Sequence, residues 1–194
     1  MSTYKEEIDW YWNRRVYVYP FKSITGDFNW LDWRNLNDAG YIDRLQEYNE
    51  TDAIGLNLVC GKKGVCGIGI RRDENNRHSL EVLHTALKYL GLPKDYTWVI
   101  QTPHEYIIIV DAQTGFDNKD QKKFENIRII WESFIQLPIR GEVSSYPVQF
   151  IGFYPQEHPT QVSKDTTYKC ITELSKKDIL LPSKKSWWRR LFNM

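Results

Sequence analysis

Histidine and cysteine, the side chains that change charge or turn nucleophilic most readily near neutral pH, are few and scattered. They comprise four histidines (His78, His84, His104, His158) and three cysteines (Cys60, Cys66, Cys170). No two histidines have zinc-site spacing, and neither HExxH nor CxxC occurs, so no metal site is expected from these residues. His84 falls within a leucine-patterned stretch but off its apolar stripe, and His158 lies between Glu157 and Pro159. His104 stands apart, beside Glu105 at a break between two β-rich runs. A GxSxG elbow and a dinucleotide fingerprint are absent, and Gly61-Lys-Lys-Gly64 lacks the spacing of a phosphate-binding loop. Glycines 61, 64, 67 and 69 read instead as a turn followed by a strand that another part of the chain approaches closely.

Basic and aromatic residues offer a different chemistry. The C-terminal run Lys184-Lys-Ser-Trp-Trp-Arg-Arg-Leu-Phe-Asn-Met194 interleaves Lys184, Lys185, Arg189 and Arg190 with Trp187 and Trp188, a pattern that can grip phosphates and stack on bases. The same pattern suits a protein groove or an anionic membrane surface. It also suits a helix that packs Trp187, Trp188, Leu191 and Phe192 on its own domain. Residues 182–194 contain no acid and carry +4, which leaves −3 for the rest of a chain whose total is +1. With 26 basic and 25 acidic residues, no overall field marks a polyanionic partner. The 194 residues, 41% hydrophobic with 8 Trp, 12 Tyr and 8 Phe, exclude wholesale disorder and suit one domain plus a tail, divided at residues 1–181 and 182–194. No stretch reaches the ~18–20 apolar residues of a membrane span. The start lacks an apolar signal core, and the odd cysteine count suits reduced thiols, so a cytoplasmic location is expected.

The elements that would position these groups follow from periodicity. Residues 4–14 read as a short amphipathic helix and 16–19 as a strand ended by Pro20. Residues 22–40 read as a loop pinned by Trp30 and Trp33, and 41–49 as a short helix. The runs 54–60 and 65–70 flank the glycine-bounded turn as a hairpin, which places Cys60 and Cys66 on opposite faces as unpaired, buried thiols. Ser79 to Leu90 is the clearest helix, with Leu80, Leu83, Leu87 and Leu90 as its stripe and Gly91 and Pro93 as its stop. Strands are expected at 96–100, 106–110 and 148–154. Helical spacing marks 118–131 through Phe124, Ile127, Ile130 and Trp131, and a short helix is expected near 168–176. The order predicts an α+β fold with a mixed, largely antiparallel sheet flanked by helices.

From Val16 to about Glu157 the chain resembles the N-terminal domain of bifunctional DNA primase/polymerases, in the archaeo-eukaryotic primase superfamily. The resemblance is carried by an ordered series of motifs. First come Ala53-Ile-Gly-Leu-Asn-Leu-Val-Cys-Gly61 and Gly64-Val-Cys-Gly-Ile-Gly-Ile70, then the helix ending in Gly-Leu-Pro. Trp98-Val-Ile-Gln-Thr-Pro-His-Glu-Tyr-Ile-Ile-Ile109 and the segment Leu137 to Pro155 follow. The resemblance implies nucleotidyl transfer by two divalent metals held on an acid pair, with a third acid and a histidine for the triphosphate. Here the acid-pair positions fall on Gly69 and Arg71, with Asp73 sharing their strand parity further on. His104 or Tyr106 fills the histidine slot, and the third-acid position falls near Ile139-Arg140, with Glu142 the closest acid.

A primase-like shell that has lost acids and gained arginines suits phosphate better than metal. Lys62, Lys63, Arg71, Arg72 and Arg140 would then gather near the former metal cleft. The leading expectation is a non-catalytic relative that binds single- or double-stranded nucleic acid or a replication protein, with no cofactor. One alternative is an active, divergent primase/polymerase using magnesium or manganese with Asp73, Asp111 or Glu142 as relocated ligands, and Asp73, His104 and Glu142 as its catalytic candidates. The other is a protein-binding module that uses the basic aromatic tail.

Overall fold

The computed structural model describes residues 4–21, 39–40, 42, 55–61, 64–72, 78–113, 116, 126–139 and 148–176. Its elements are α1 (Tyr4–Trp12), β1 (Val18–Phe21), β2 (Gly55–Val59), β3 (Val65–Arg71), α2 (His78–Tyr89), β4 (Val99–Gln101), β5 (Glu105–Asp111), β6 (Ile127–Ile130), β7 (Phe134–Leu137), β8 (Gln149–Phe150) and α3 (Lys164–Lys176). The strands form two sheets, β1-β2-β7 and β6-β3-β5-β4-β8. Among the described residues every ladder is antiparallel, and a parallel bridge joins Asp111 to Gln161. This is the α+β class expected from the element order, with the sheet divided in two.

β3 is an interior strand of the larger sheet, and its composition suits burial on both faces. Six of its seven residues are buried, and it is hydrogen-bonded to β5 on one side and β6 on the other. Side chains alternate, so Gly67 and Gly69 share one face with Arg71, while Cys66, Ile68 and Ile70 share the other. The glycine face receives the smaller sheet. A Cβ on Gly67 would lie 2.5 Å from Cδ1 of Ile135 on β7 and 3.1 Å from Cγ2 of Ile107. The bare backbone at residue 67 is what lets the two sheets pack this closely.

α1 ties the two sheets together through aromatic side chains. Trp98, just before β4, packs against Phe150 of β8 and against Trp10 and Tyr11 of α1, with ring centroids 5.9, 6.4 and 6.3 Å apart. The Tyr11 hydroxyl donates to the Pro138 carbonyl at 2.7 Å, just beyond β7. α2 and α3 pack on each other and against β3 and β6. α2 buries Val82, Leu83, Ala86 and Leu87, whereas Leu80 is turned out and 41% exposed. Gly91, at φ +71°, ends α2: Leu92 N donates to Leu87 O and Gly91 N to Lys88 O, closing the last carbonyls. α3 begins earlier than the sequence suggests because the Ser163 hydroxyl accepts from Thr166 N (3.1 Å) and caps it.

Several expectations need correction. Segments 54–60 and 65–70 are not a hairpin: β2 pairs with β1 and β7, and β3 with β5 and β6. A single bond from Gly61 N to Val65 O (2.8 Å) closes the turn, and glycines 61 and 64, at φ +96° and +84°, swing the chain from one sheet into the other. The helix expected up to Trp131 does not extend over 127–131. Ile127, Ile129 and Ile130 are β-branched and pair with β3 as β6, and β7 follows at once. Pro20 lies within β1, which tolerates it because β1 is an edge strand. The last strand is shorter than expected, covering Gln149–Phe150. The tryptophan loop 22–38, most of the 41–49 helix and the segment 117–125 lie outside the described residues.

The three cysteines are free and buried, and burial pushes all three thiols up, Cys170 to about 12. The Tyr96 hydroxyl donates to Ile109 O (2.8 Å) and accepts from Thr160 N (2.9 Å), and burial pushes it up to about 12. The folded chain therefore holds protons that the unfolded chain releases above 9.0 for thiols and 10.0 for the phenol. Stability should be steady below pH 9 and fall as pH rises towards 12. Denaturant midpoints across this range should show that fall. Tyr96→Phe is expected to be about 1 kcal/mol less stable at neutral pH, yet to lose less on the alkaline limb. A midpoint unchanged up to pH 12 would contradict this.

Candidate functional site

At one end of the β6-β3-β5 ladder the apolar strands give way to charge. β3 leaves the core at Arg71, which is exposed after six buried residues. The register sets Gly69 opposite Ile107 and Arg128, and Arg71 opposite Glu105. Alternation then puts Gly69, Arg71, Glu105 and Arg128 on one face of the sheet. The backbone pins this end on both sides, with Arg71 N donating to Asn126 O (2.9 Å) and Arg72 N to His104 O (2.7 Å).

The segment Thr102-Pro-His-Glu105 forms a tight turn between β4 and β5 for local reasons. Pro103 presets the turn, and the Thr102 hydroxyl accepts from Glu105 N (2.9 Å) and His104 N (3.2 Å). This fixes the start of β5, so Glu105 has a defined position and His104 sits exposed at the tip. The Arg72 guanidinium is fastened to the same turn: Nη1 donates to Thr102 O (3.1 Å), and its Cζ lies 5.7 Å from the Tyr106 ring centroid.

Glu105 and Arg128 join across β3. Arg128 Nε donates to Oε1 at 2.9 Å and Nη2 to Oε2 at 2.7 Å, a two-pronged ion pair reaching from β5 to β6. The pair lies over Gly69, where an added Cβ would come within 3.2 Å of Arg128 Cγ and of Glu105 Oε1. The hydrogen bonds to Glu105 hold the Arg128 guanidinium above its ordinary pKa. Both side chains stay reachable from solvent, at 46% for Arg128 and 23% for Glu105. Among the described residues at this end of the sheet, three guanidiniums accompany one carboxylate, and that carboxylate is already engaged. Such a set does not fit a divalent metal, which needs free carboxylate oxygens. It fits phosphate oxygens, which guanidinium forks bind bidentately.

Of the sequence candidates, Arg71, Arg72 and His104 are brought together here. Gly61 and Gly64, which bracket Lys62 and Lys63, lie at the opposite end of β3 from Arg71, roughly 20 Å along the strand. Lys62, Lys63, Asp73, Arg140, Glu142, Lys184, Lys185, Trp187, Trp188, Arg189 and Arg190 lie outside the described residues. His158 is elsewhere, in an open depression of about 620 Å³ that it lines with Asn13, Arg14, Gln156, Glu157 and Thr160. Arg14 there is tied down, stacked 3.8 Å from the Trp10 ring and donating to Trp10 O and Pro155 O. Sequence reasoning missed Arg128 because its segment read as helix. The signal was a lone arginine inside Ile127-Arg-Ile-Ile130, a β-branched run with one polar position. No family model matches the chain, and no curated protein matches it.

A methyl group at residue 69 would crowd the ion pair, whose side chains would have to give by a few tenths of an ångström. Gly69→Ala should lower stability by roughly 1 kcal/mol, and that loss should shrink when Arg128→Ala is already present. A urea double-mutant cycle reads this coupling directly, and additive losses would mean that Gly69 is not there to admit the ion pair.

Proposed function

We propose that this protein is a non-catalytic relative of the primase/polymerase domain and binds nucleic acid through the charged end of its larger sheet. The observation that carries this reading is the Glu105–Arg128 ion pair lying across Gly69. In the resembled family that position holds a metal-binding acid. Two-metal nucleotidyl transfer needs carboxylates there with free oxygens. Here glycine, two arginines and an engaged glutamate stand in that region, and guanidiniums repel divalent cations while attracting phosphate.

Arg71 supplies an exposed cation, and Arg72 a second one braced against the 102–105 turn. Because the chain outside residues 182–194 is slightly acidic, binding at this patch is local rather than driven by overall charge. The basic aromatic tail supplies a further phosphate and base contact, or the contact to a replication protein.

Fluorescence anisotropy of labelled single- and double-stranded DNA over a salt series tests the reading. Arg71→Ala with Arg72→Ala should weaken binding by about 10-fold or more at low salt and flatten the salt dependence by about two ions. Equal affinity and equal salt slope for wild type and double mutant would overturn it.

A further inference from the structure

We propose that Glu105 is an internal competitor for the ligand phosphate. Its carboxylate occupies the Arg128 guanidinium in the unbound protein, and a nucleic-acid phosphate takes that guanidinium over on binding. This deepens the proposed function and rests on its reading of the sheet end as a phosphate site.

The geometry assigns the role to Glu105 and Arg128 together. Arg128 presents Nε and Nη2 in parallel to the two oxygens of one anion, the arrangement by which guanidinium also grips phosphate. Arg71 stands directly across the ladder from Glu105, on the same face as Arg128. One carboxylate is therefore flanked by two arginines, and a phosphate entering from solvent meets the same two cations. The exchange is accessible, since Arg128 is nearly half exposed and Glu105 about a quarter. An ion pair this exposed adds little net stability, so a better anion can displace it. A phosphodiester qualifies because Arg71, on the same face as Arg128, engages it or its neighbour along the strand at the same time, whereas Glu105 has no such reinforcement; Arg72 lies over Tyr106 on the other face.

Glu105 cannot withdraw far once displaced. Its backbone starts β5 and its N–H is held by the Thr102 hydroxyl, so its carboxylate stays within a side chain's length of the bound phosphate. The carboxylate thus opposes binding twice, by occupying Arg128 beforehand and by repelling the phosphate afterwards. Gly69 completes the device, because the absence of a side chain there leaves the ion pair uncrowded as it forms across β3.

The test is anisotropy of a labelled single-stranded oligonucleotide over a salt series, with wild type, Glu105→Gln, Glu105→Gln/Arg128→Ala and Arg71→Ala/Arg72→Ala. Glu105→Gln keeps an oxygen for Arg128 Nε, so thermal unfolding should confirm a folded chain. It should bind roughly 3–10-fold tighter than wild type with a salt slope steeper by about one ion, and adding Arg128→Ala should remove that gain. Wild-type affinity and slope in Glu105→Gln, with binding still weakened by the Arg71/Arg72 pair, would overturn the competitor role and leave the phosphate site standing. A gain that survives Arg128→Ala would overturn the exchange at Arg128. Unchanged binding in the Arg71/Arg72 pair would instead overturn the proposed function itself.

Discussion

The charged end of the larger sheet depends on how closely other parts of the chain approach one face of β3. At Gly67 a core isoleucine from the smaller sheet comes within what would be 2.5 Å of a Cβ, and two residues on the Glu105–Arg128 ion pair crosses over Gly69. The same strand face thus runs from apolar packing to a salt link within one side-chain repeat, then to the exposed Arg71. A side chain at 67 would push the sheets apart. One at 69 would crowd the ion pair that links β5 to β6 over the strand between them. Because β3 pairs on both edges and is covered on both faces, it has no freedom to shift and relieve either contact.

That constraint also decides what chemistry the region can perform. Among the described residues the one carboxylate at this end, Glu105, is engaged by its arginine. On the proposed reading this surface takes anions, with an acid placed among its bases to moderate it. The 102–105 turn is the common support, since it fixes Glu105, exposes His104 and receives the Arg72 guanidinium.

Much of the fold was legible in the sequence because several elements carry their own boundary signals. The α2 stripe, with Gly91 and Pro93 after it, and the isoleucine run of β5 are local patterns that tertiary contacts reinforce. Partner choice between strands was not legible. The glycine-bounded turn after Cys60 looks like a hairpin, but both flanking strands bury better against other partners, so the turn becomes a passage between sheets. β6 failed for a related reason: Ile127, Ile130 and Trp131 fit helical spacing as well as a strand, and pairing with β3 settles the choice. The misreading hid Arg128, so Arg71, Arg72 and His104 were found without the ion pair that explains Gly69. Spacing alone cannot report that link, because Glu105 and Arg128 are brought together only by the register of β3 with both neighbours.

The most direct test is a two-dimensional NMR titration of the labelled protein, first with a short single-stranded oligonucleotide and then with manganese. The account predicts that the oligonucleotide shifts the amides of residues 69–72 and 104–106 and the Arg71 and Arg128 side-chain Nε resonances, while manganese leaves these signals unbroadened. Selective manganese broadening at residues 69–72, with no response to the oligonucleotide, would contradict it and restore a metal to this face of the sheet.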